Sequence, residues 1–370
     1  MSTVLYSGDE RLANRPEKDQ EGERAPYISP DIGLSDLWYF AMPSRKLKRG
    51  KLLAKRMFDL HLVFGRDSEG RPFAMQNSCR HQAMPLSLGR FDGKRLECPN
   101  HGWLYDTDGQ CVSIPCLSEK QPQDISRIRI KSFPCRDVQG NVWIYAGRPS
   151  DDIPDPPRLP EVEAKHLRVD GMMRFACGMD RATLGLIDPA HGPYVHTSWL
   201  RRSDRDRREK EKRFVPSHLG FTMARHSTKT AQALWFMPKS MEIEVSFQLP
   251  GVHFECVRAG KHVFTGMITA TPLTANETQV NYNLYWTIPW LAPAQPVVAL
   301  LMHNFFAQDQ HAMAGLSTFA TERTPPLTLV GDPDQQAVWY FKLKQEYLRA
   351  KKEGRPFENP VQETVLRWRT

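Results

Sequence analysis

No stretch of this sequence approaches the run of about 20 apolar residues that a helix needs to cross a bilayer, so no membrane span is expected. The N-terminus also lacks an apolar core of the kind that directs secretion. Residues Ser7 to Arg24 are instead dense in Asp, Glu, Arg and Lys. Both absences point to the cytoplasm, with residues 1–35 as a polar tail. Cysteine is scarce, and its number, seven, is odd. In a chain with no export signal this argues against a disulfide framework and for reduced thiols free to bind metal. There is no internal repeat, no low-complexity tract and no G-x-G-x-x-G opening a strand–helix unit, so a dinucleotide-binding domain is not expected. The net charge of +8 raises the question of nucleic acid. The segment from Arg201 to Arg213 holds eight Lys or Arg, but four Asp or Glu are interspersed, as in a solvated loop or helix end. Aromatic–basic interleaving is missing, so no nucleic-acid partner is expected.

What is present is an ordinary folded composition, 40% hydrophobic and 25% charged, in a 370-residue chain long enough for two domains. Twenty-nine prolines favour turns and strand edges over long bundles. Short strands are expected at Leu60–Gly65, Arg95–Cys98 and Asn141–Ala146, with turns at Ser68–Arg71 and Asp106–Gln110. The proline-dense stretch from Arg148 to Pro160 reads as a linker. Beyond it, Leu184 to His196 reads as a helix interrupted by Pro189 and Pro193. Strands follow at Leu219–Arg225, Met241–Leu249, Val252–Val257, His262–Thr271 and Gln279–Thr287, with the β-branched and aromatic content of an antiparallel sheet. Helices are expected over Val297–Phe319 and Val338–Lys351. The fold class is α+β: an all-β domain over residues 36–150, a linker over 151–165, a second domain over 166–355 and a tail over 356–370.

Two Cys–His pairs carry the first chemistry. Cys79-Arg80-His81 is followed after sixteen residues by Cys98-Pro99-Asn100-His101, giving C-x-H-x16-C-x2-H. Two thiolates and two imidazoles suit zinc or an iron–sulfur cluster. Each pair sits where a strand meets a turn, and Gly89, Gly93 and Gly102 permit tight backbone turns, so two loops can grip a cluster from opposite sides. A zinc finger more often pairs C-x2-C with H-x3-H on a helix. The segment, with the Gly102-Trp103 and Tyr105-Asp106 that follow, resembles the Rieske segment of ring-hydroxylating oxygenases. In a Rieske [2Fe–2S] cluster two Cys hold one iron and two His the other, which raises the reduction potential. Cys111, Cys116, Cys135, Cys177 and Cys256 fall outside the motif and read as small buried hydrophobes.

The second pattern is Asp188-Pro189-Ala190-His191-Gly192-Pro193-Tyr194-Val195-His196, or D-x2-H-x4-H. Alone it is a weak signal. About 90 residues after a Rieske motif it resembles the mononuclear iron motif of the Rieske non-haem iron oxygenases. The resemblance implies that His191 and His196 ligate Fe(II), with a carboxylate from a late helix completing a facial triad. Gln308-Asp309 fits that place, and Asp309 is the only acid between Glu277 and Glu322. It further implies that Asp188 is not a ligand but a bridge by hydrogen bonds between His101 of one subunit and His191 of the next, in a head-to-tail homotrimer. Many relatives carry Asn three or four residues before the bridging Asp; here Gly185 and Leu184 stand there.

The resemblance, covering roughly residues 36–320, implies a helix-grip-like catalytic domain behind an N-terminal Rieske domain. It implies a terminal oxygenase using O2 and electrons from a separate ferredoxin or flavin reductase. Chains of this size in the family often monohydroxylate or demethylate; cis-dihydroxylation of an aromatic ring is the alternative, and an electron carrier with an inactive second domain is another. Trp235, Phe236, Met237, Phe254, Phe264, Met267, Tyr282, Tyr285 and Trp286 are candidate walls for the small-molecule substrate. None carries a charge, which favours an apolar, cyclic or aromatic compound. The basic surface, including Arg201–Arg213, suits an acidic electron donor.

Overall fold

The computed structural model describes residues 26–118, 120, 123–196, 209–229, 240–319 and 327–369. Arg201 to Arg208 and the candidate wall residues Trp235, Phe236 and Met237 lie outside the described residues.

Short strands and tight turns build the first part of the chain: β1 (Trp38–Pro43), β2 (Leu53–Met57), β3 (Leu60–Arg66), β4 (Pro72–Gln76), β5 (Arg90–Phe91), β6 (Arg95–Glu97), β7 (Leu104–Asp106), β8 (Cys111–Ser113), β9 (Ser132–Phe133), β10 (Cys135–Val138) and β11 (Asn141–Tyr145). They form three small antiparallel sheets, ordered β1-β11-β10, β2-β3-β4-β9 and β5-β6-β7-β8. The three strands expected in this part, at Leu60–Gly65, Arg95–Cys98 and Asn141–Ala146, are present within one residue. Sheet β5–β8 packs against β3 and β4 through a core of Val63, Phe73, Met75, Leu86, Leu96, Tyr105, Cys111 and Ile130 around Cys79 and Cys98.

The second part contains β12 (Leu167–Phe175), α1 (Met179–Ile187), α2 (Gly192–Val195), β13 (Glu209–Ser217), β14 (Gly220–Lys229), β15 (Ser240–Gln248), β16 (Val252–Ala259), β17 (His262–Thr274), β18 (Glu277–Trp286), α3 (Gln295–Phe319), α4 (Gln335–Glu353) and β19 (Thr364–Arg369). Eight strands make one antiparallel sheet in the order β12-β18-β17-β16-β15-β14-β13-β19. Because side chains alternate across a strand, each face has its own task. One face packs on the first domain, where Val252, Phe254, Met267 and Tyr285 meet Trp38, Phe40 and Trp143. The other carries the helices: Phe306 of α3 lies flat on Tyr282 of β18, with centroids 4.5 Å apart. The tip of the β2–β3 hairpin fastens the domains together, as Phe58 and Asp59 donate their backbone N–H groups to Pro272 and Leu273 of β17. No helix among the described residues is long and apolar enough to cross a membrane.

Several expectations need correcting. The helix expected over Leu184–His196 starts at Met179 and stops at Ile187, because Pro189 cannot continue it; a separate turn of helix covers Gly192–Val195. Glu209 to Arg213, read as a solvated loop or helix end, lie in β13, paired with β19. That strand comes from the expected C-terminal tail. Leu366 and Trp368 are 1% and 5% exposed and pack with Phe214 and Trp339, so β19 forms the outermost strand of the sheet. In the expected N-terminal tail, Ile28, Ile32 and Leu34 are buried. The expected linker contributes Leu159 and Val162 to the interdomain core. β12 was not foreseen at all.

Candidate metal centres

The first centre is built from two loops at the tip of the small sheet β5–β8. Cys79 follows β4, and its backbone is fixed by bonds from its N–H to Met84 and from Ala83 N–H to its carbonyl, both 2.9 Å. Cys98 follows β6, with its N–H on Trp103 and its carbonyl accepting from Gly102 at 3.1 Å. Gly102 has φ +69°, which glycine adopts without strain. The loops approach so closely that a Cβ on Gly89 would stand 2.0 Å from the carbonyl oxygen of Glu97.

This folding sorts the four side chains. Cys79 and Cys98 are each 2% exposed, while His81 and His101 are exposed. The two imidazoles turn Nδ1 toward Nδ1 at 3.1 Å. Burial pushes the Cys98 thiol up, with Cys79 beside it. Burial, then the adjacent His101, hold His81 below the usual imidazole range. Trp103 stacks on His81 at 4.9 Å and 4°. The Tyr105 hydroxyl lies 3.3 Å from Cys79 Sγ and accepts from Arg80 N–H. Burial raises that phenol well above its ordinary value, so it remains a donor.

The donor set decides between the two metals. Four ligands of a single zinc ion would sit about 2.0–2.3 Å from one point, and hence close to one another. Among the described residues, the only three or more His, Cys or acidic donors within 4.8 Å of one another are those of the second centre. The sulfur pair and the nitrogen pair are therefore set apart, as a two-iron cluster with a two-cysteine end and a two-histidine end requires. Of the other cysteines, Cys111, Cys177 and Cys256 are buried and Cys135 half-buried, but Cys116 is exposed, contrary to expectation; all are free thiols.

The second centre lies where α1 breaks. After Pro189 the Asp188 carboxylate accepts the Ala190 N–H at 2.7 Å, a local turn that side chains of this type favour. His191 Nδ1 meets the main-chain oxygen of Asp188 at 2.7 Å, which leaves Nε2 facing inward. His196 ends α2 and is 3% exposed. From α3, Asp309 Oδ1 reaches within 3.4 Å of His196 Nε2 and 3.7 Å of His191 Nε2. All three donor atoms lie within 4.8 Å of one another. Burial pushes the Asp309 carboxyl up to about 6 although His191 opposes it. A half-buried carboxylate faced by two imidazole nitrogens is a donor set that a divalent cation satisfies.

Within the chain, one oxygen of the Asp188 carboxylate accepts the Ala190 N–H, and the Asp188 carbonyl meets the His191 imidazole. Gly185, standing where relatives carry Asn, is where α1 and α3 meet: a Cβ there would lie 2.7 Å from the Met313 methyl. Among the described candidate walls, Tyr282 alone connects to the site by ring contacts, stacked on Phe306, which meets Phe305 edge-on, which in turn stacks on His196. Phe254, Met267 and Tyr285 belong to the interdomain core on the other face, and Trp286 and Phe264 pack near Ile288. No motif foreshadowed His253. It pairs with Ile268, which pairs with Tyr282, on the helix-bearing face, and burial pushes its imidazole down to about 4.

Residues 37–134 match the Rieske [2Fe-2S] domain. Over 176 residues the chain is 32% identical to chlorophyllide a oxygenase of Arabidopsis thaliana, covering 47% of this chain and 31% of that protein. Over 178 residues it is 30% identical to the oxygenase component of dicamba O-demethylase from Stenotrophomonas maltophilia, covering 47% of this chain and 51% of that one. The match thus spans well under two thirds of these relatives' own length. The solved structure of dicamba monooxygenase with non-heme iron and dicamba superposes with a TM-score of 0.65 at 18% identity, over 86% of this chain and 97% of that one. Motif, domain match and fold agree: this is a Rieske-domain protein with the two-domain fold of the Rieske non-haem iron oxygenases.

Proposed function

We propose that the chain is the terminal oxygenase of a multicomponent system. It would hold a [2Fe–2S] cluster on Cys79, His81, Cys98 and His101 and one Fe(II) on His191, His196 and Asp309. It would use O2 and electrons from a separate ferredoxin or flavin reductase to monohydroxylate or oxidatively demethylate an apolar cyclic or aromatic substrate. The observation that carries this reading is the convergence of His191, His196 and Asp309, which an electron carrier has no need of.

Bound iron of this type supplies dioxygen activation, with the cluster as a source of one electron. The chain's own residues prepare for it. The exposed rings of His81 and His101 offer an electron route at the surface. Asp188 fixes the tautomer of His191 through its carbonyl. Phe305 covers the face of His196 and keeps water from it. Tyr282 and Phe306 extend that apolar lining, which suits a substrate without charge. The assembly that goes with this reading is a homotrimer in which the cluster of one subunit abuts the iron of the next, with Asp188 between them.

Anaerobic loading of candidate aromatic substrates with a surrogate reductase, followed by admission of oxygen, tests the reading. A single added hydroxyl, or a lost methyl recovered as formaldehyde, is expected; a cis-diol would overturn the reaction class. Asp309→Ala is expected to abolish product while leaving the visible spectrum of the cluster. Product formation at the wild-type rate by that variant would remove the ligand assignment.

A further inference from the structure

A cavity of about 290 Å³ opens at the seam between the two domains. It lies on the opposite face of the large sheet from the iron-type centre. Asp170, Met172 and Arg174 of β12 line it, whereas Met173 and Phe175, pointing the other way, pack with Phe306 of α3.

The cavity gathers cations from both domains: Lys46, Lys55 and Arg56 from the first, Arg174 from the second. Most of the charges have partners. Arg56 meets Asp59 at 2.6 Å, Arg174 meets Glu277 at 3.5 Å, and Asp170 is enclosed by Arg45 and Arg168 at 2.8 and 3.2 Å. Lys46 and Lys55 have no carboxylate within ion-pair distance among the described residues. Lys55 donates to the carbonyl of Ala41. Burial first, then repulsion from Lys46 and Arg174, push its ammonium down to about 7. Behind these groups are the buried amides of Gln279 and Asn281, which are 4% and 2% exposed. The remaining walls are apolar, from Leu53, Ala54, Leu273 and Met172, the last 49% exposed at the mouth.

Two uncompensated ammonium groups beside an apolar wall, in a space the size of a small ligand pocket of about 300 Å³, form an amphiphilic receptor. We propose that the seam cavity binds a small organic monoanion, a carboxylate or sulfonate on an apolar body. Lys46 and Lys55 receive the anionic group, and Met172 and Leu273 pack on the body. Anion binding favours the charged form of Lys55, so at neutral pH the complex takes up a proton. The cavity is separate from the iron-type centre, so binding does not depend on that centre's ligands.

Isothermal titration of the full chain, with its cluster loaded, by 2-naphthoate at pH 7 tests this. Two buffers of different ionisation heat reveal the proton. One saturable site with net proton uptake is expected. Lys46→Met and Lys55→Met are each expected to weaken binding at least tenfold. Ala54→Trp, at an exposed position of β2, should abolish it by filling the space. His191→Ala is expected to bind as the wild type does. Absence of saturable binding at millimolar probe, or unchanged affinity in Ala54→Trp, would overturn the proposal. So would loss of binding in His191→Ala alone. Visible spectra and melting temperatures establish that each variant is folded, and Ala54→Trp decides the matter if a lysine variant is not.

Discussion

Phe305 lies flat against His196, ring centroids 3.8 Å apart and planes 17° from parallel, one helical turn before Asp309 on the same helix. One element thus supplies both a carboxylate and the surface that holds the neighbouring imidazole in place. Removing a group that orients a ligand typically lowers metal affinity by about 10- to 100-fold. Phe305→Ala is therefore expected to weaken Fe(II) binding by about tenfold. Metal titration followed by competition with a chelator measures it. The cluster's absorption should be unchanged, because Phe305 and the cluster loops belong to different cores.

Gly89 tests the closeness of the two cluster loops. Its backbone angles are open to any residue, so the cost of a side chain is purely steric. The obstacle is the Glu97 carbonyl, which cannot swing aside as a flexible side chain would. Gly89→Ala is expected to destabilise the fold by about 1–3 kcal/mol and to reduce cluster loading. The ratio of visible to protein absorbance after reconstitution reads the second effect.

The last strand offers a stability test. Leu366 and Trp368 bury their side chains against Phe214 and Trp339. Full burial of one such side chain contributes about 1.5–3 kcal/mol. Deleting residues 364–370 is expected to cost several kcal/mol, on the order of 3–6, and to expose the edge of β13. Chemical denaturation gives the first quantity, and light scattering at raised concentration the second.

Glu346 on α4 accepts from Arg355 at 2.6 Å and also meets Arg349. Arg355, then Arg349, hold its carboxyl at about 2, well below the ordinary 4.5. A depressed carboxylate stabilises the fold above its unfolded value and loses that contribution as pH falls toward its folded value. Its contribution should thus be complete above pH 4.5 and disappear toward pH 2. Glu346→Gln should lower the melting temperature at neutral pH and flatten its fall through that window, the two curves converging at the acid end. Parallel curves would contradict the linkage.

The cluster loops were legible because all four residues fall within 23 positions and are joined by short strands with clear turn chemistry. Asp309 was legible because it is isolated among uncharged residues on a long helix. The last two strands of the large sheet, β13 and β19, were not. In β13 the run Glu209-Lys210-Glu211-Lys212 shows alternating charge, which marks a solvated surface but not the element that bears it. β19 buries just two side chains, and its pairing with β13 joins residues about 150 apart, a relation no local pattern carries. The Asp188 turn was hidden for another reason: motif spacing fixes where the residue stands, while Pro189 decides whether its carbonyl or its carboxylate meets His191. His253 was hidden because a single histidine in a strand has no spacing partner.

Iron stoichiometry joined to paramagnetic resonance tests the central claim most directly. The account predicts about three irons per wild-type chain, and about two in Asp309→Ala with the reduced mixed-ligand cluster signal intact. Two irons in the wild type, equal to the variant, would contradict a second centre at His191, His196 and Asp309, and a preparation without the cluster signal would contradict the first.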